Sequence, residues 1–147
     1  LVSTGSGIEQ IALLFRKPIV LVNATETEYR LNPLFNPLYK LFIPKKIFSL
    51  KKNRFLTFSE IFKIGCDNLQ NSKDYLKRNL ILINNTEKEI KDVVIEMDLR
   101  LQGKWIETYE AVNLQKKYWK INSFKDMPEI KCKIGSNFLK ENIDLLN

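Results

Sequence analysis

The sequence predicts an α/β fold, a mainly parallel sheet with helices on both of its faces, and two observations carry that prediction. The first is the unit that opens the chain. An extended Leu1-Val2 enters a Ser/Gly-rich turn, a helical period runs from Ser6 to Lys17, and Ile19-Val20-Leu21-Val22 follows as an unbroken apolar run, β-branched except at Leu21. The second is another such run, Leu80-Ile81-Leu82-Ile83, followed closely by a long amphipathic stretch. Strands buried on both faces of a parallel sheet read as continuous apolar runs rather than as an alternation. A chain of 147 residues, 44% of them hydrophobic, can bury one sizeable core and is short for two.

The helices are marked by their ends. Ser6 and Glu9 have capping-box spacing at the start of a helix with Ile8, Ile11, Ala12 and Phe15 at helical intervals, and Pro18 stops it. From Asn23 to Phe55 the chain carries Pro33, Pro37 and Pro44 among aromatics and lysines with no sustained period, which predicts a long, partly ordered connection. A second box, Thr57 to Glu60, opens a short helix through Ile61 and Ile64 that stops at Gly65, and residues Asn68 to Asn79 are polar, a loop or ragged helix. A third box, Thr86 to Glu89, starts a helix with Ile90, Val93, Val94, Met97 and Leu101 on one face and Gly103 at its end. Its Glu96, Asp98 and Arg100 are expected on the solvated side. Thr108 to Lys120 is expected to be helical, and Ser136 to cap a last helix with a Leu139, Ile143 and Leu146 face. The chain does not begin with Met, and Leu1 to Gly5 reads as a strand tail entering a turn, so residues 1–147 are expected to be one domain of a longer protein.

Composition narrows the chemistry. There is no histidine, which excludes Ser-His and Cys-His nucleophilic catalysis within this chain and leaves Asp and Glu as general bases. Cys66 and Cys132 stand far apart without a CxxC spacing, so reduced thiols are expected rather than a disulfide framework or a zinc site. No apolar stretch approaches the roughly 18 residues of a spanning helix, and the N-terminus lacks a signal-peptide layout, so a cytoplasmic location is expected.

The net charge of +7 is uneven. No acidic residue lies between Glu28 and Glu60, while Arg30, Lys40, Lys45, Lys46, Lys51, Lys52 and Arg54 match the whole surplus. With Phe35, Tyr39, Phe42, Phe48 and Phe55 interleaved, this segment has the composition of a solvated loop with docked aromatics, of a membrane-surface contact through Lys45, Lys46, Lys51 and Lys52, or of a nucleic-acid groove. The solvated loop is the first reading and an anionic membrane surface the second, and no nucleic acid is expected.

The Ser3-Thr4-Gly5-Ser6-Gly7 turn joins a strand to a helix start, where N–H groups without intrahelical partners and the helix dipole favour an anion. Glycine lets a phosphate approach the backbone, and the hydroxyls add donors. The turn is neither a Walker A loop nor a GxGxxG fingerprint.

The run VSTGSGIEQIALLFRKPIVLVNATETE, Val2 to Glu28, resembles the donor-binding motif of glycosyltransferases built from two Rossmann-like domains, the GT-B type. LTFSEIF (Leu56 to Phe62), NNTEKEIKDVVIEMDLRLQGKW (Asn84 to Trp105) and KIGSNFLKEN (Lys133 to Asn142) resemble, in the same order, the C-terminal blocks of a bacterial glycosyltransferase family linked to surface polysaccharide synthesis. The resemblance implies a Rossmann-like C-terminal domain that binds a nucleotide-diphosphate sugar, an acceptor that is lipid-linked or a surface polysaccharide, and a separate N-terminal domain as partner. It assigns Ser3, Thr4, Gly5, Ser6 and Gly7 to the donor diphosphate and Asn23, Thr25 and Glu26 to sugar or ribose. The absence of an Asp-x-Asp triplet fits a family that generally works without a metal or other cofactor. The second reading is a sugar-nucleotide 2-epimerase of the same fold, which usually carries paired glutamates where this chain has Glu9-Gln10. A noncatalytic basic binding module is the alternative from another class.

Overall fold

The computed structural model describes residues 1–5, 7–25, 40–66, 69, 71–121 and 132–147. In chain order its elements are β1 (Val2–Ser3), α1 (Ile8–Leu14), β2 (Ile19–Ala24), β3 (Lys40–Pro44), β4 (Lys46–Ser49), β5 (Arg54–Phe55), α2 (Phe58–Lys63), α3 (Ser72–Lys77), β6 (Leu80–Ile83), α4 (Glu87–Leu101), α5 (Tyr109–Ile121), β7 (Lys133–Ile134), α6 (Ser136–Glu141) and a 3-10 turn over Ile143–Leu146.

The fold is α/β. Four parallel strands in the order β1-β2-β3-β7 form the main sheet, and β5-β4-β6 form a separate antiparallel one. In the main sheet Ser3 aligns with Leu21, Leu21 with Phe42, and Phe42 with Ile134. That row sets all four strand ends on one rim. The interior centres on β2 and β3, where Ile19, Leu21, Leu41, Phe42 and Ile43 are each at most 1% exposed. Successive strand residues point to opposite faces. Phe42 meets Tyr118 and Trp119 of α5 edge-on, while Ile43 faces the other way, near Val93 of α4 and Gly135. The sheet is therefore covered on both faces, as predicted and as a parallel sheet requires. Such a three-layer arrangement is compatible with a Rossmann-like fold.

Two capping boxes form as read: Thr57 with Glu60 at α2, and Thr86 with Glu89 at α4, with both reciprocal hydrogen bonds present in each. Gly65 and Gly103 follow these helices with φ of +64° and +68°. Thr108 accepts from the Ala111 N–H ahead of α5.

Several expectations are corrected. The expected connection Asn23 to Phe55 holds the end of β2 and all of β3, β4 and β5, and its residues 26–39 lie outside those described. Leu80–Ile83 is a strand, but it pairs antiparallel with β4, and Ile83 is exposed because only one face is covered. Of the two readings for Asn68 to Asn79, loop or ragged helix, the described residues show a short helix, α3, capped by Asn71, whose side chain accepts from the Asp74 N–H. Of the α1 stripe Ile8, Ile11, Ala12 and Phe15, only Ala12 is buried; the other three are exposed, as is Leu14, and Glu9 faces the interior beside Ala12. Glu9 tolerates this because Ser3 Oγ donates to it at 2.9 Å. Leu101 and Ile143 are also exposed, since each lies near the end of its element.

Glu96 and Arg100 are not on the solvated side of α4. Glu96 is 2% exposed and accepts from Ser136 N–H, Ser136 Oγ and the Arg100 guanidinium, whereas Asp98 is exposed. Ser136 therefore spends its hydroxyl on Glu96 instead of capping its own helix, whose first residue it is. A carboxylate from α4 takes over the capping of α6.

Candidate functional site

In open parallel sheets ligands sit beyond the C-terminal strand ends. Here that rim is formed by Ser3 to Gly7 after β1, Asn23 to Thr25 at the end of β2, Pro44-Lys45 at the end of β3 and Gly135-Ser136 after β7. The register aligns Ser3 with Leu21, so the turn after β1 adjoins the middle of β2, and Asn23 to Thr25 lie two to four residues further along that strand. Ser6 and Glu26 lie outside the described residues.

The turn is pinned from below. Ser3 is buried, its Oγ donates to Glu9 and accepts from the Gly5 N–H, and Gly5 adopts φ +90°, a conformation that suits glycine. Thr4, Gly5 and Gly7 are exposed. The Ser3 hydroxyl and the Gly5 N–H are thus committed within the turn, and Thr4 is its exposed hydroxyl residue among those described. Glu9 does not close the box over the helix start; its carboxylate sits beneath the loop, bound to Ser3. A side chain added at Gly7, whose φ is −56°, would meet nothing within 4 Å.

Asn23 is part of a clasp. Its N–H donates to Asn85 Oδ1 at 2.6 Å, and its own Oδ1 accepts from the Asn85 N–H at 2.6 Å. Asn85 Nδ2 adds a bond to the Pro44 carbonyl at 2.8 Å, tying the ends of β2 and β3 to the residue before the α4 cap. Thr25 lines a crevice with Lys45, Ile47, Ile61, Tyr75 and Leu82 of about 10 Å3, near the scale of a single water rather than a sugar. Asn85 was missed in the sequence because an Asn-Asn pair before a cap reads as a turn.

The lysines assigned to an anionic surface stand in different surroundings. Lys46 pairs with Glu89 at 2.8 Å, and Lys52 and Arg54 both pair with Glu60, so two acids outside the segment answer three of its seven cations. Lys45 is half-buried and Lys51 is exposed. Of the interleaved aromatics, Phe42 is 0% exposed in the sheet and cannot touch a membrane; Phe35 and Tyr39 lie outside the described residues. Away from the rim, a cleft of about 420 Å3 follows the β7 edge, lined by Trp119, Lys116, Lys120, Lys133, Glu107 and Gln115. Gln115 bonds the β7 backbone there, and Lys133 pairs with Glu107.

The carboxylates carry a pH dependence. Burial pushes the Glu89 carboxyl up, but Lys46, the Thr86 N–H and Asn142 outweigh it and hold it below its ordinary range. Glu107 behaves likewise under burial opposed by Lys133 and Arg100. A group depressed in the folded state contributes stability that is complete above its unfolded pKa and is lost as pH falls through the folded value. The melting temperature is therefore expected to hold down to about pH 5 and to drop below the unfolded carboxylate value of about 4.3. Glu89→Gln should lower it at pH 7 and flatten the acid limb in a calorimetric pH series; an unchanged limb would show that Glu89 contributes nothing.

Among the described residues, no helix is long and apolar enough to cross a membrane and no cluster of metal-ligating side chains occurs. Comparisons with protein-family models, curated proteins and solved structures give no match for this chain.

Proposed function

We propose that this chain is the donor-binding part of a GT-B-type glycosyltransferase, which transfers a sugar from a nucleotide-diphosphate sugar to a lipid-linked or surface-polysaccharide acceptor. The observation that carries the reading is the exposed turn at Thr4, Gly5 and Gly7, set at the C-terminal end of a parallel strand that adjoins β2. A phosphate can approach backbone N–H groups there, with the start of α1 behind it. The ordered resemblance of the four sequence blocks supports the same reading. The outward stripe of Ile8, Ile11, Leu14 and Phe15, next to the exposed Leu1 and Val2 at the β1 edge, supports a sheet and helix layer that continue into another part of a longer polypeptide. In that arrangement the N-terminal domain supplies the acceptor side. The ion pairs of Lys46, Lys52 and Arg54 weigh against the basic binding module, because they engage three of the segment's seven cations within the fold.

Gly7→Ala tests the site with little risk to the fold. Its Cβ meets nothing within 4 Å, so stability should stay within about 0.5 kcal/mol of wild type. The same methyl group stands in the path of a phosphate seated on the turn, and titration calorimetry with UDP, GDP and ADP should show binding weakened on the order of tenfold, about 1.4 kcal/mol. Equal affinity in a folded variant would remove the turn as the diphosphate site.

A further inference from the structure

Asn23 has φ +53° inside a strand, and the β2–β3 register shifts between Leu21 and Ala24. Asparagine visits this left-handed region more readily than most residues, but a strand interior has no need of it. A sheet held together only by its ladder would run straight through. The departure occurs where β2 reaches the rim, and it coincides with the reciprocal amide pair to Asn85. Bulges and strained backbone concentrate where a side chain must be aimed.

Three pieces of the rim meet at that pair. β2 leaves it toward Thr25; β3 ends on it through the Pro44 carbonyl, with the Lys45 N–H returning a bond to Ala24 O at 2.9 Å; and α4 starts from it, one residue before the Thr86 cap. Asn85 is 7% exposed. Its Oδ1 and Nδ2 are engaged by Asn23 and Pro44, and Asn23 Oδ1 by Asn85. These oxygens and this amide group are spent within the protein.

We infer that Asn23 and Asn85 are the positioning pair of the donor site: they do not touch the nucleotide sugar but fix the exit of β2, and with it Thr25, on the strand next to the one that carries the Ser3–Gly7 turn. The inference rests on the donor-binding reading given above. It replaces a direct sugar contact by Asn23 with an indirect role and adds Asn85, which the sequence did not single out.

Two substitutions at Asn23 separate this role from a structural one. Asn23→Gly accepts the positive φ without strain but removes the oxygen that receives the Asn85 N–H. Asn23→Asp keeps that oxygen and nearly the same shape. Each purified variant and wild type is titrated with UDP, GDP and ADP, and each is melted in parallel. The expected result is a Gly variant that melts within a few degrees of wild type yet binds about tenfold more weakly, a loss of about 1.4 kcal/mol, with the Asp variant restoring affinity to within about threefold. A Gly variant that binds as tightly as wild type overturns the inference. So does one whose weaker binding is matched by a collapse in melting temperature, since the pair is then structural. An Asp variant that binds worse than the Gly variant overturns it too, because the side chain then meets the ligand's charge directly. If wild type binds none of the three nucleotides, the donor-binding reading fails first and takes the positioning role with it.

Discussion

Glu96→Ala is expected to lower the free energy of unfolding by about 3–5 kcal/mol, the range for removing one partner of a buried charge pair. The Glu96 carboxylate is 2% exposed and receives Ser136 N–H at 2.6 Å, Ser136 Oγ at 3.0 Å and the Arg100 guanidinium at 2.7 Å and 3.0 Å. Truncation leaves the first N–H of α6, on buried Ser136, without this acceptor and takes one of its two carboxylate partners from the Arg100 guanidinium. Arg100 retains Glu107 at 2.5 Å and its place over the Trp105 ring, so it will not simply swing into solvent. For a domain of this size the loss corresponds to a fall in melting temperature on the order of 10 °C. Glu96→Gln keeps the shape and one acceptor and should cost less, about 1–3 kcal/mol. Denaturant unfolding of the three proteins checks this, and an alanine variant within about 0.5 kcal/mol of wild type would show that α6 does not depend on the carboxylate.

That network also marks where sequence reading stops. The Thr57–Glu60 and Thr86–Glu89 boxes were legible because each is complete within four consecutive residues. Glu96 reads as a surface residue because its partner Ser136 is 40 positions away. The central strand β3 was invisible for a different reason: its apolar core is Leu41-Phe42-Ile43, closed off by Lys40 and Pro44, too short to show a period. Its proline is tolerated because it stands at the strand end, where it supplies only a carbonyl, to Asn85.

Helical spacing finds a stripe but not the direction it faces. In α1 the stripe Ile8, Ile11, Ala12 and Phe15 is rotated so that its bulkier members are exposed while Ala12 and the neighbouring Glu9 face inward. Glu9 can be buried there because Ser3 gives it a hydrogen bond across the turn, a contact no helical period encodes. The candidate site was legible to the same extent. The residues singled out in the sequence follow two adjacent strands, β1 and β2, while the Asn23–Asn85 clasp joins positions 62 apart and needed the fold.

Phe42→Ala should be as damaging as the loss of Glu96, by packing rather than by charge. Phe42 is 0% exposed in a strand flanked on both sides, and its ring meets Tyr118 and Trp119 edge-on at 6.4 Å each. Tyr118 in turn packs against Phe58 of α2 at 4.9 Å, so one ring links the sheet to two helices. Buried Phe→Ala changes cost about 3–5 kcal/mol, the transfer free energy plus the cavity left behind. Phe48 gives the contrast. It lies half-buried in the small antiparallel sheet and pairs with Phe55 at 5.4 Å, an arrangement worth about 0.5–1.5 kcal/mol beyond area burial. Phe48→Ala should therefore leave the main transition close to wild type, while Phe42→Ala shifts it by on the order of 10 °C. Thermal unfolding followed by near-ultraviolet circular dichroism distinguishes the two, and equal shifts would mean that the stability of this chain is not centred on β3.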